Sequence, residues 1–141
     1  MYRLATISEK LSKKISQSTD DLQREIIIKS CEYAIDKAKL SIIPLVSNIL
    51  ERYINNYNLE LHQQKKLEKL LKIYEEEYLE LQDAEENERY LVSFGRARAL
   101  SAILYCFESD LSLAANEAFY EASMTTDNNE DLYQIINDLL G

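Results

Sequence analysis

Few side chains in this sequence have a type and spacing that could do chemistry. Glu117 and Glu121 stand four residues apart, with Tyr120 beside them. On a helix both carboxylates share one face, where they could hold a cation or divide acid and base roles. Two glutamates alone are a poor site for a hard cation, which takes about six oxygens. The alternative is that they are solvated, or paired with Arg96 or Arg98 on the preceding helix. His62 is the one histidine, in the run Leu61-His62-Gln63, and reads as a helix-surface residue. Cys31 and Cys106 lie within helical patterns and lack a Cys-x-x-Cys spacing. They read as inert core thiols, since free cysteine is among the most buried residue types. Nothing in the spacing brings either thiol to His62 as a nucleophile pair. There is no Glu-x-x-His, HExxH, EF-hand loop, GxxxxGK[ST], GxSxG or GxGxxG. The expectation is a protein with no catalytic site, no metal and no cofactor.

The elements that would carry these residues are helices. The chain has 141 residues, 46% of them hydrophobic, with two Gly and one Pro. Its apolar content is too high for a disordered chain. So little Gly and Pro cannot punctuate a β-sandwich or build the loops of a nucleotide-binding fold. Ser8 or Thr6 can cap a first helix with Ile7, Leu11 and Ile15 on one face, and Thr19 can cap a second. Pro44 marks a new helix start, and Asn55 to Asn58 a turn. Leu67, Leu70, Leu71, Tyr74, Tyr78 and Leu81 form one stripe of a long helix from Leu59 to about Asp83. A fifth helix covers Glu86 to Phe107, with Tyr90, Leu91, Phe94, Ala97, Leu100, Leu104 and Phe107 as its apolar set. Within it, Gly95, Ala97, Ala99 and Ala102 allow a neighbouring backbone to come close. Asp110 caps a sixth helix, and Asp127 with Glu130 suggests a capping box for a last one. Short connections imply mostly antiparallel neighbours. The fold expected is all-α, a single domain comprising a bundle of about six to seven helices.

Charge is the most informative property. The formal net charge is −9. Residues 1–72 hold 13 basic and nine acidic residues. Residues 73–88 hold eight acidic residues and no basic one: Glu75, Glu76, Glu77, Glu80, Asp83, Glu85, Glu86 and Glu88. Residues 99–141 hold eight more, again with no Lys or Arg; Arg89, Arg96 and Arg98 lie between the two blocks. Such a chain repels phosphates, so direct nucleic-acid binding is not expected, and anionic membrane surfaces are disfavoured for the same reason. No stretch reaches the ~18–20 apolar residues of a membrane span. The N-terminal run lacks the apolar segment of a secretory signal. With two unpaired cysteines, the compartment expected is the reducing cytoplasm. An acidic surface attracts a basic partner and speeds its encounter. Ten Tyr and no Trp add residues that favour interfaces. Tyr74 and Tyr78 flank the start of the acidic run.

The C-terminal third reads Phe94-Gly95-Arg96-Ala97-Arg98-Ala99-Leu100-Ser101-Ala102, then Ala115-Asn116-Glu117-Ala118-Phe119-Tyr120-Glu121-Ala122, then Thr126-Asp127 and Leu132. This string resembles segments of small helical bacterial immunity proteins, encoded beside secreted or contact-dependent toxins. The resemblance implies a cytosolic protein that binds one cognate toxin and blocks it. Such toxins are often nucleases with basic clefts, where an acidic plug competes with phosphate.

The function expected is therefore a non-enzymatic acidic binding protein that occludes a basic toxin domain. The contacts expected are Tyr74, Tyr78 and the acidic residues from Glu75 to Glu88, with Glu117, Tyr120 and Glu121 second. The alternative is a self-associating helical scaffold or regulatory subunit, with the Leu67–Leu81 stripe as a homodimer seam.

Overall fold

The computed structural model describes residues 2–141. Apolar side chains recur every three to four residues, and that periodicity folds the chain into seven α-helices: α1 (Glu9–Ser16), α2 (Asp20–Ala38), α3 (Pro44–Ile54), α4 (Leu61–Asp83), α5 (Asn87–Leu104), α6 (Leu111–Ser123) and α7 (Glu130–Leu140). Short 3-10 turns cover Arg3–Thr6 and Tyr105–Phe107. No strand occurs among the described residues. The protein is an all-α bundle, as its composition requires. Among the described residues no helix is long and apolar enough to cross a membrane.

Local chemistry sets most boundaries. The hydroxyls of Ser8 and Thr19 and the carboxylate of Asp110 each accept the N–H three residues on, at 3.2 Å, and start α1, α2 and α6. Pro44 opens α3 at a position where its missing N–H costs nothing. The proposed box of Asp127 and Glu130 does not form. Asn129 precedes α7 instead, and its Nδ2 donates to the Ser123 carbonyl at 2.9 Å, tying the loop to the end of α6. Helix ends expose a shortage of glycine. Lys39, Asn56 and Glu85 all adopt the left-handed conformation that favours Gly, at φ of 56°, 60° and 59°. Each is closed by a paired set of bonds, such as Glu85 N–H to Gln82 O at 3.1 Å and Glu86 N–H to Leu81 O at 3.0 Å. A non-glycine residue in that conformation costs roughly 1 kcal/mol.

The core gathers Leu4, Ile15, Ile26, Ile27, Ile49, Leu67, Leu100, Ile103, Phe119, Leu132 and Ile136, all essentially without exposed surface. Each contributes ~1.5–3 kcal/mol over leaving it in water. The Phe119 and Tyr133 rings meet edge to face at 5.0 Å and seat α7. Tyr33 donates to Asp131 at 2.8 Å, and Lys37 adds an ion pair at 3.5 Å.

The helix α5 is central and touches α2, α3, α4 and α6. Its small buried residues Ser93, Gly95, Ala97, Ala99 and Ala102 make that possible. Helices α4 and α5 form an antiparallel hairpin, since Glu75 meets Arg98 while Tyr78 meets Phe94 and Tyr90. The Leu67–Leu81 stripe is covered by this contact and by the core: Leu67 and Leu81 are buried, and Leu70, Leu71 and Tyr74 pack on the core. It is therefore not free to act as a seam between copies. The tip of the hairpin, about residues 79–91, carries Leu81 as its only buried residue and projects past the main core.

Gly95 marks the tightest approach. A methyl group there would stand 2.9 Å from the Thr125 carbonyl oxygen. Gly95→Ala would gain ~1 kcal/mol of helix propensity, but overpacking against backbone costs ~1–3 kcal/mol. The expected outcome is a net loss on the order of 1 kcal/mol, read from the urea midpoint; a stabilised variant would show that the loop after α6 yields freely.

Candidate functional site

Glu117 and Glu121 lie on the inward face of α6, with side chains only 8% and 3% exposed. Arg3 Nε donates to Glu117 Oε2 at 2.6 Å, and the Arg3 backbone N–H donates to Oε1 at 3.1 Å. Another Arg3 nitrogen meets Glu121 Oε1 at 2.6 Å. Arg98 reaches Glu121 Oε2 at 3.1 Å and Glu75 at 3.7 Å. The Arg3 guanidinium also stands 4.6 Å from the Tyr120 ring centre. Burial opposes the charge on Arg3, but the hydrogen bond to Glu117 and the charge of Glu121 outweigh it and hold Arg3 more firmly protonated than usual. The pair expected to face a partner or a cation is thus turned inward and committed to arginines. The reason is placement: both residues fall on the face of α6 that α5 and the N-terminal turn cover. Buried carboxylates persist only where they are paired. Arg98 takes the role anticipated for it. Arg96 does not, and lies 5.7 Å from the Tyr74 ring centre. Nothing in the sequence pointed to Arg3, which is 114 residues from Glu117.

The acidic run from Glu75 to Glu88 is placed differently. It covers the second half of α4, the turn, and the start of α5. Glu76, Glu80, Asp83, Glu85, Glu86 and Glu88 are exposed, while Glu75 and Glu77 are half-buried. Only Glu75 and Glu86 have ion-pair partners among the described residues, Arg98 and Arg89. The last turn of α4 holds no basic residue, so Glu80 and Asp83 sit at the negative end of the helix dipole. Glu85 adds a left-handed backbone where Gly would be free of strain.

Tyr78 and Tyr74 serve this arrangement from within. Tyr78 lies edge-on to Tyr90 at 5.7 Å and to Phe94 at 5.4 Å, so its ring fixes the spacing of the two helices. Tyr74 packs against the core at the hairpin's root. The outward apolar contribution comes from residues the sequence reading did not expect at the surface. Ile73, Leu79, Leu91 and Val92 are each about half exposed. Leu91, assigned by periodicity to the inner face of α5, points outward because Tyr90 and Phe94 take the contact with α4. Ile73 and Leu79 fall off the α4 stripe, and that was the only available signal. On one flank, Glu77, Glu88, Arg89, Val92 and Arg96 line a depression of about 330 Å³. On the other, Leu91 and Phe94 face Met124, Thr126 and Asp127 across a cleft of about 400 Å³. Acidic and apolar groups are therefore mixed on one projecting element, which is suited to protein contact.

The two carboxylate groups predict opposite responses. Removing one partner of a fully buried pair costs ~3–5 kcal/mol. Arg3 is 45% exposed and water can reach the gap, so Arg3→Ala should cost about 2 kcal/mol in chemical denaturation. Adding Glu117→Gln to that variant should recover part of the loss. Glu85→Gly should stabilise by about 0.5–1 kcal/mol by removing backbone strain, while weakening the acidic surface; a destabilised variant would show that the Glu85 side chain holds the turn.

The chain matches no known family model, no curated protein and no solved structure.

Proposed function

We propose that this chain is a non-enzymatic binding protein that takes a basic protein partner on the tip of the α4–α5 hairpin. One observation carries the reading. Six carboxylates without ion-pair partners among the described residues, Glu76, Glu77, Glu80, Asp83, Glu85 and Glu88, crowd a projecting element that also bears half-exposed Leu79, Leu91 and Val92. Like-charge repulsion, the left-handed backbone at Glu85 and, for Glu80 and Asp83, the dipole of α4 oppose that placement. A basic partner would relieve the repulsion and cover the apolar side chains in one step. The finer reading follows the resemblance to immunity proteins: the partner is a toxin domain with a cationic, phosphate-binding cleft, blocked in the cytoplasm by occlusion. Self-association through the same surface is opposed by the charge it would bring together.

The test is capture of partners from the native host at ~50 and ~500 mM salt, where the Debye length falls from ~14 to a few Å. The expected result is one stoichiometric basic protein, released by salt. Glu76→Lys with Glu80→Lys should slow its association about tenfold or more, since steering of this kind spans ~10–10³. Asp138→Lys, on the exposed face of α7, serves as the control and should change little. Equal kinetics for all three proteins at low salt would remove the hairpin as the site. A dimer that persists on dilution in light scattering, with no other protein bound, would replace the proposal with the self-associating scaffold.

A further inference from the structure

Burial alone makes a thiol inert, but the two thiols here are neither alone nor equally sealed. Cys31 sits midway along α2 with no exposed surface. Cys106 belongs to the 3-10 turn between α5 and α6 and keeps 6% of its surface. Their sulfurs are 3.8 Å apart. The Cys31 thiol is also 3.6 Å from the Ala102 carbonyl oxygen, so its S–H can point either to that oxygen or to the other sulfur. On the far side of Cys106 is an open cavity of about 520 Å³, lined also by Arg24, Tyr53, Tyr57, Phe107 and Ser109. The cavity gives a small solute a route from solvent to Cys106 but not to Cys31. Arg24 holds its guanidinium over Tyr53, 4.5 Å from the ring centre, which places a positive charge in the wall of that route.

We propose that Cys106 and Cys31 form an oxidation site, in which a peroxide entering this cavity oxidises Cys106 and Cys31 then closes a disulfide behind it. In the first step the Cys106 sulfur attacks one peroxide oxygen. The O–O bond breaks, hydroxide leaves and takes up the thiol proton as water, and a sulfenic acid remains. In the second step the Cys31 sulfur attacks the Cys106 sulfur. The S–O bond breaks, and the departing hydroxide accepts the Cys31 proton. The sum is two thiols and one hydrogen peroxide giving one disulfide and two waters. The hydrogen bond with Cys106 and burial both hold Cys31 protonated, so it does not compete for peroxide; its part in the second step rests on its nearness to Cys106 and on loss of its proton to the departing hydroxide. The sulfurs must close from 3.8 Å to about 2.05 Å. That movement falls on a three-residue 3-10 turn, a short connector that is easier to shift than the middle of α5. The disulfide would fasten α2 to the α5–α6 corner. This inference is independent of the binding reading.

The experiment treats the full-length protein with a small excess of hydrogen peroxide, then takes intact mass and a non-reducing peptide map. The expected result is a monomer lighter by two hydrogen atoms, with the Cys31 and Cys106 peptides linked and both thiols restored by dithiothreitol. Cys31→Ala should leave Cys106 as a sulfenic acid that dimedone traps, and Cys106→Ala should leave Cys31 unreacted. Two free thiols after oxidation, a disulfide between molecules, or trapping of Cys31 as fast as Cys106 would each overturn the proposal. The wild-type map decides the question even if a variant fails to fold.

Discussion

Two carboxylates buried side by side on α6 constrain the whole arrangement. Glu117 and Glu121 could not both remain charged and buried without cations, because an isolated ion in a low-dielectric interior costs several kcal/mol. Arg3 and Arg98 supply them, one from the N-terminal turn and the other from the adjoining α5. The N-terminal turn must then lie across α6, and α5 must run beside it with Arg98 facing inward. Because Arg98 also reaches Glu75, the same network touches the root of the acidic hairpin. A second polar seam runs parallel to it: Ser12 donates to the Asn116 side-chain oxygen at 2.6 Å, and Asn116 Nδ2 donates to the Ser112 carbonyl at 2.8 Å. These two sets of buried polar groups are matched across helices, and that matching helps specify which helix faces meet. Hydrophobic burial supplies the driving force but is indifferent to small rotations of one helix on another.

Periodicity made the helices legible, and their boundaries were legible wherever a side chain sets them. Ser8, Thr19, Pro44 and Asp110 all act as their local chemistry requires. Gly95 among alanines correctly signalled a close backbone approach. What stayed hidden depends on long-range contact. Glu117 and Glu121 have the spacing of a solvated pair, and only the position of Arg3 reveals that they are enclosed. The expected Asp127–Glu130 box loses to a bond between Asn129 and the end of α6, which local pattern cannot anticipate. Leu91 reads as core because helical period cannot say which of two apolar neighbours a partner helix will take. The acidic run was plain in the sequence, but its projection beyond the core was not. Neither was the outward turn of Ile73, Leu79 and Val92, which alters what that run can do.

The contrast between the two sets of carboxylates bears most on function. In the core, each buried acid has an arginine within 2.6–3.1 Å. On the hairpin, most acids have none, although Lys65, Lys66, Lys69 and Lys72 lie on the same helix one to four turns earlier. Distributing those four lysines among the glutamates at i and i+4 would stabilise α4 by a few tenths of a kcal/mol per pair. Gly at position 85 would remove strain, and a basic residue in the last turn would meet the helix dipole. Each change is small, yet together they amount to about 2 kcal/mol in a fold whose total stability is on the order of 5–15 kcal/mol. The aromatic cluster of Tyr78, Tyr90 and Phe94 supports the hairpin despite this, holding two acidic helix ends together against their own repulsion. Segregated charge on a braced, projecting element weakens the isolated chain, and the loss is recovered when positive charge arrives from outside. Such a surface is tuned to a complex more than to the free protein, and electrostatic complementarity of that kind acts on the rate and selectivity of encounter.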